Sequence, residues 1–147
     1  SRTPKDLGFI YHSTVKELAD AVDVLFVITP GGASTYQLVN DEVMNALGAE
    51  GMLINVARGS VVDETALIVA LQDGRLGSAG LDVFEKEPKI PDALKAMENV
   101  VLLPHVGSAS VETRQAMGDL TCENLERFMQ DGTVVTPVPE CADLNGT

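Results

Sequence analysis

Apolar runs of four or five residues alternate along this chain with stretches whose apolar positions fall three and four apart. Val24-Leu25-Phe26-Val27-Ile28, Gly51-Met52-Leu53-Ile54, Ser78-Ala79-Gly80-Leu81-Asp82-Val83-Phe84 and Val100-Val101-Leu102-Leu103 read as strands. Continuous apolar runs without polar alternation belong to parallel strands covered on both faces, and the Val24–Ile28 run is of that kind. Helices are predicted around them. Thr14-x-x-Glu17 offers a capping box for a short helix through Leu18 and Ala21. Asn40 can cap the next helix, turning Val43, Met44 and Leu47 inward. Asp63 can cap a third, carrying Ala66, Leu67, Ala70 and Leu71 on one side, and Gly74 can end it. A short helix over 91–97 follows. A long one from Ser110 to Gln130 should turn Ala116, Met117, Leu120, Leu125 and Phe128 inward and stop at Gly132. The alternation predicts an α/β fold, a parallel sheet with flanking helices and right-handed crossovers.

Composition narrows the function classes. The chain has 147 residues, nearly half of them hydrophobic, yet only 4% are aromatic and none is tryptophan. That suits an aliphatic sheet better than a nucleic-acid platform. Ten Lys and Arg against 22 Asp and Glu give a formal net charge of −12, which leaves no footprint for nucleic acid or an anionic membrane surface. An anionic ligand must then be held by a few locally placed cations. Cys122 and Cys141 fit no metal or redox spacing and read as reduced thiols of a cytoplasmic protein. No apolar run is long enough to span a bilayer. The opening Ser1-Arg2-Thr3-Pro4-Lys5 reads as the loop after a strand that is not here.

Candidate chemistry collects after the strands. Arg58 follows the second strand in Asn55-Val56-Ala57-Arg58-Gly59-Ser60, just before a helix, at the edge where open parallel sheets bind ligands. Its alternative is a surface arginine paired with a neighbouring carboxylate. The other strands lead into Thr29-Pro30-Gly31-Gly32, into Asp82 and Glu87, and into His105. Taken singly, His105 could be a structural histidine, Glu87 a solvated turn residue and Asp82 the brace of a loop. Taken together they form a carbonyl-reducing or alcohol-oxidising set. Arg58 can clamp a substrate carboxylate by two charge-assisted bonds. His105 can give a proton to the carbonyl oxygen or take it back, and Glu87 can fix its tautomer and stabilise the imidazolium. A nicotinamide could supply the hydride. His12 lies before a helix without such company and reads as surface structure.

The chain resembles the carboxyl-terminal half of the D-isomer-specific 2-hydroxyacid dehydrogenases. The resemblance lies in Leu53-Ile54-Asn55-Val56-Ala57-Arg58-Gly59, in Asp63-Glu64, in the block from Ala79 to Pro88, and in Leu103-Pro104-His105-Val106-Gly107-Ser108-Ala109. The blocks stand in the family's order and spacing, with 29 residues from Arg58 to Glu87 and 18 from Glu87 to His105. The resemblance implies a Rossmann-like sheet over 1–109, the latter part of a dinucleotide-binding domain. It implies that 110–147 form a connecting helix and a tail returning to a substrate domain. It implies that Arg58 binds the 2-oxoacid carboxylate, that Glu87 and His105 are the acid–base dyad, and that Asp82 and Val56 meet the nicotinamide end of the cofactor. Thr29, Pro30, Gly31, Thr35, Ala57 and Gly107 are the further cofactor candidates.

The loop Thr29-Pro30-Gly31-Gly32 looks most like that of glyoxylate and hydroxypyruvate reductases. NAD-using relatives end the second strand on an acidic residue that binds the ribose hydroxyls. Here that place falls on Ser1 with Arg2 and Thr3 beside it, which favours NADP over NAD. The Gly-x-Gly-x-x-Gly turn is nowhere in the chain, so the sheet is expected to be incomplete and the chain an inactive fragment of a homodimeric enzyme. The alternatives are an NAD-dependent phosphoglycerate dehydrogenase and a nucleotide-sensing corepressor.

Overall fold

A computed structural model describes residues 8–141. The chain divides into two compact units, Ser1–Gly107 and Ser108–Thr147. In the first, β1 (Val24–Val27), β2 (Met52–Asn55), β3 (Ser78–Leu81) and β4 (Val100–Leu102) form one parallel sheet in chain order. The register pairs Val27 with Asn55, Asn55 with Leu81, and Leu81 with Leu102, so the four strands end flush. The loops that follow them therefore emerge side by side along one edge.

The helices begin where local chemistry lets them. Thr14 and Glu17 close the capping box of α1 (Val15–Asp20), each side chain bonded to the other's backbone N–H. Asn40 caps α2 (Asp41–Leu47) by accepting the Val43 N–H, and Asp63 caps α3 (Glu64–Gln72) by accepting that of Ala66. The short α4 (Asp92–Lys95) precedes β4. Val43, Met44, Leu47, Leu67, Ala70, Leu71 and Leu94 from these helices share one core with Leu25, Val27, Leu53, Ala79 and Leu81 from the strands.

Only one face of the sheet is covered among the described residues. Leu25 is 4% exposed whereas Phe26 is 63% and Ile28 76% exposed. Cover on both sides of the Val24–Ile28 strand, expected from its apolar run, is thus corrected to an alternation of outward and inward residues. The reason lies in the strand order. When consecutive strands step always in the same direction, crossovers of one hand all fall on the same face. The glycine and alanine of β3 are expected, as small residues in a strand, to let a ligand or another backbone approach closely. A Cβ at Gly80 would come 2.9 Å from Ile54 Cδ1, so a side chain of β2 is a close neighbour there.

In the second unit, α5 (Val111–Asp131) starts at Ser110, whose hydroxyl accepts the Thr113 N–H, and stops at Gly132 in the left-handed region, with φ 77°. Asn124 Oδ1 accepts the backbone N–H groups of Val135 and Thr136, folding the tail back along the helix. Ala116, Met117, Leu120, Leu125 and Phe128 are all exposed, against the expectation that they point inward. Periodicity shows which face is apolar, but nothing among the described residues covers it. No helix among them is long and apolar enough to cross a membrane. Cys122 and Cys141 are free thiols.

Candidate active site

The carboxyl end of β2 is fixed by Asn55, which is buried to 1% exposure. Its Oδ1 accepts the Ala57 N–H at 3.1 Å and its Nδ2 donates to the Arg58 carbonyl at 3.1 Å. A buried amide satisfied at both ends holds the loop that carries Arg58. A single 3-10 turn over Gly59–Val61 then leads to α3. The Arg58 stem runs against Gly31, where a Cβ would stand 2.9 Å from Arg58 Cγ. Its Nη1 donates to the Ala57 carbonyl at 2.6 Å. Among the described residues no carboxylate lies within ion-pair distance of Arg58. That disfavours the alternative of a surface pair and leaves a guanidinium able to take an incoming anion.

Past β3, Asp82 is 3% exposed, and both its oxygens are engaged. Oδ1 accepts the Val106 N–H at 2.7 Å and Oδ2 the Gly107 N–H at 2.8 Å. These are the two residues after His105, whose φ of 56° lies in the left-handed region. Such a conformation at a non-glycine residue persists only where its surroundings impose it. The two charge-assisted bonds to Asp82 supply that constraint.

His105 Nδ1 meets Glu87 Oε2 at 2.8 Å, and Glu87 Oε1 accepts the Phe84 N–H at 3.0 Å. The hydrogen bond from His105 holds the Glu87 carboxyl below the usual carboxylate range. The Phe84 N–H adds to this, burial opposes it, and the positive charge of Arg58 contributes a little. A carboxylate facing Nδ1 requires the hydrogen there, so Nε2 is the ring nitrogen left for proton exchange.

The predicted residues thus fall into three groups. Glu87 and His105 are joined, and both border a small cavity of about 130 Å³ with Phe84 and Ile90. Arg58, Val56, Ala57, Thr29, Pro30 and Gly31 line a larger one of about 720 Å³ at the sheet edge. No hydrogen bond links Arg58 to the dyad among the described residues. The third group braces the loops. Asp82 and the Gly107 N–H bind each other, and the Thr35 hydroxyl bonds the carbonyls of Pro30 and Gly32. Ser1, Arg2 and Thr3 lie outside the described residues. His12 is half-buried and lines neither of these cavities.

Three residues do work that the sequence reading did not assign to them. Asn55 braces the Arg58 loop; an asparagine closing an apolar strand was the available signal. Gly59 and Glu64 contact the Phe84–Glu85 peptide, and nothing local in the sequence announces a partner that far along the chain.

Known proteins are similar to this chain over most of its length. Glyoxylate/hydroxypyruvate reductase A HPR2 of Arabidopsis thaliana is 53% identical over 139 residues, which is 94% of this chain and 44% of that protein. Hydroxyphenylpyruvate reductase of Plectranthus scutellarioides is 50% identical over the same length. A crystal structure of the NADPH-dependent glyoxylate/hydroxypyruvate reductase of Sinorhizobium meliloti, in complex with NADP and malonate, superposes with a TM-score of 0.93. It is 57% identical, and the match covers 95% of this chain and 44% of that one. The chain therefore spans less than half the length of these relatives. Residues 1–107 match the D-isomer specific 2-hydroxyacid dehydrogenase, NAD binding domain, and the chain belongs to that family.

Proposed function

We propose that this chain is the nicotinamide-binding and proton-transferring part of an NADP(H)-dependent reductase of short 2-oxoacids, glyoxylate or hydroxypyruvate, yielding the D-2-hydroxyacid. The observation that carries the proposal is the Glu87–His105 pair, near enough to Arg58 for its positive charge to act on Glu87, together with an Arg58 that has no carboxylate within ion-pair distance among the described residues. Arg58 binds the substrate carboxylate and so fixes the neighbouring carbonyl. His105 gives its proton from Nε2 to the carbonyl oxygen as negative charge develops there, and Glu87 keeps the ring oriented and stabilises its charged form. In the reverse direction His105 takes the hydroxyl proton.

The cavity bordered by Gly31 and Gly32 fits the nicotinamide half of the cofactor. A Cβ at Gly32 would meet nothing within 4 Å, so that rim is open and a flat ring can approach the ends of β1 and β2. When bound, the cofactor supplies the hydride. Thr29, Pro30, Gly31, Val56 and Ala57 would hold that half, with the brace of Asp82 and Gly107 keeping His105 beside it. The choice of NADP over NAD rests on Ser1 and Arg2 in place of an acidic residue, and on the NADP held by the Sinorhizobium meliloti relative. A cytoplasmic homodimer completes the proposal.

The test is turnover by the complete gene product with glyoxylate, hydroxypyruvate and hydroxyphenylpyruvate, each with NADPH and with NADH. The expected result is NADPH oxidation with glyoxylate or hydroxypyruvate at a higher kcat/KM than with NADH. A clear preference for NADH overturns the cofactor assignment. Absence of turnover with every 2-oxoacid overturns the enzyme reading in favour of a nucleotide sensor.

A further inference from the structure

The Arg58 loop and the turn that carries Glu87 follow different strands, yet they touch at two points. Gly59 is buried, and a Cβ built on it would run into the carbonyl carbon and oxygen of Phe84 and the amide nitrogen of Glu85. Its backbone therefore rests directly on the Phe84–Glu85 peptide, as only glycine permits. Five residues further on, Glu64 opens α3, and its Oε2 accepts the N–H of Glu85 at 3.2 Å. One peptide unit is thus supported by Gly59 and tethered through its N–H by Glu64.

The neighbouring N–H, that of Phe84, donates to Glu87 Oε1. The other oxygen of Glu87 faces His105. A glutamate in the first turn of a helix also suits the helix dipole. The dipole does not require its carboxylate to reach a backbone N–H 21 residues away, so a second role is indicated.

We propose that Gly59 and Glu64 are positioning residues, a two-point seat that fixes the Phe84–Glu87 turn against the Arg58 loop and so sets the spacing between the carboxylate clamp and the acid–base pair. This rests on the roles given above to Arg58, Glu87 and His105. The seat acts through the Phe84–Glu85 peptide. If that peptide is displaced, the turn shifts with it, the Phe84 N–H next to it moves off the Glu87 carboxylate, and the pair is no longer held at its place relative to Arg58.

The test follows the Glu87 carboxyl by NMR titration of the complete gene product, labelled with carbon-13 at the glutamate carboxyls. The wild-type protein is compared with Glu64→Ala, Glu64→Gln and Glu64→Asp. Removing a negative charge at position 64 would by itself lower the Glu87 midpoint, in the Ala and Gln variants alike. Losing the seat raises it, because the Phe84 N–H no longer stabilises the charged form. The expected result is an upward shift in Glu64→Ala and none in Glu64→Gln, whose amide oxygen still accepts the Glu85 N–H. Glu64→Asp keeps the charge but falls short of the peptide, so it too should shift upward; it decides the matter if the Ala variant does not fold. No upward shift in Ala or Asp overturns the proposal, as does an equal upward shift in Gln. None of these readings requires turnover, so they stand apart from the substrate panel that decides the reductase reading.

Discussion

In the proposed reaction His105 acts as the acid, and three other groups leave it no choice of pose. Asp82 holds the two amides behind it, Glu87 takes its Nδ1, and the backbone accepts a left-handed φ at a residue with a Cβ. Replacing it by alanine removes the proton donor while sparing the cavity lined by Arg58 and the Thr29–Gly32 loop. His105→Ala is therefore expected to lower kcat by roughly 10²–10⁴-fold with cofactor binding nearly unchanged. Arg58→Ala should instead raise the KM for the 2-oxoacid sharply and slow the reaction as well. Steady-state kinetics with a fluorescence titration of NADPH separates the two, and near-wild-type efficiency in both variants would sink the site. Glu87 gives an independent check. Its folded pKa lies below the unfolded value, so its contribution to stability is present above the ordinary glutamate range and lost as pH falls through the lowered value. Glu87→Gln has no such term. Thermal melts on acidification should show the wild type losing more than the variant across that window, and parallel losses would contradict it.

At the scale of elements, the sequence was most legible where the cause is local. Thr14 with Glu17, Asn40 and Asp63 all cap the helices they were expected to cap, because a short polar side chain and its N–H partner lie within three residues. Strand ends were less legible. The apolar run from Ser78 to Phe84 reads as one strand, but β3 ends at Leu81, and Val83 and Phe84 are buried outside the sheet. An apolar side chain signals burial and does not say whether its backbone stays in the ladder. The stripe of α5 shows the same limit, since spacing identifies an apolar face and not its cover. In the site, Arg58, Glu87 and His105 stood out because a charged residue after an apolar strand is locally odd. Asn55, Gly59 and Glu64 did not, because two of them act on peptides more than twenty residues away and the third on its own loop.

For the molecule as a whole, strand order decides what the core contains. A sheet that adds each strand on the same side places α2, α3 and α4 over one face and leaves Val24, Phe26, Ile28, Met52, Val56, Val101 and Leu103 outside the core of residues 8–107. The flush edge that gathers the site comes from the same topology, so site and open face have one origin. This makes neighbouring residues of β1 very unequal in their hold on the fold. Leu25 sits inside the core, and Leu25→Ala should destabilise the chain by about 2–5 kcal/mol through lost burial and the cavity left behind. Phe26 is the larger side chain, yet most of its surface already meets solvent, and Phe26→Ala should cost less than about 1 kcal/mol. Urea denaturation of the two variants reads the difference directly. If Phe26→Ala costs as much as Leu25→Ala, the second face is covered in solution, and the one-sided core assigned to this chain is wrong.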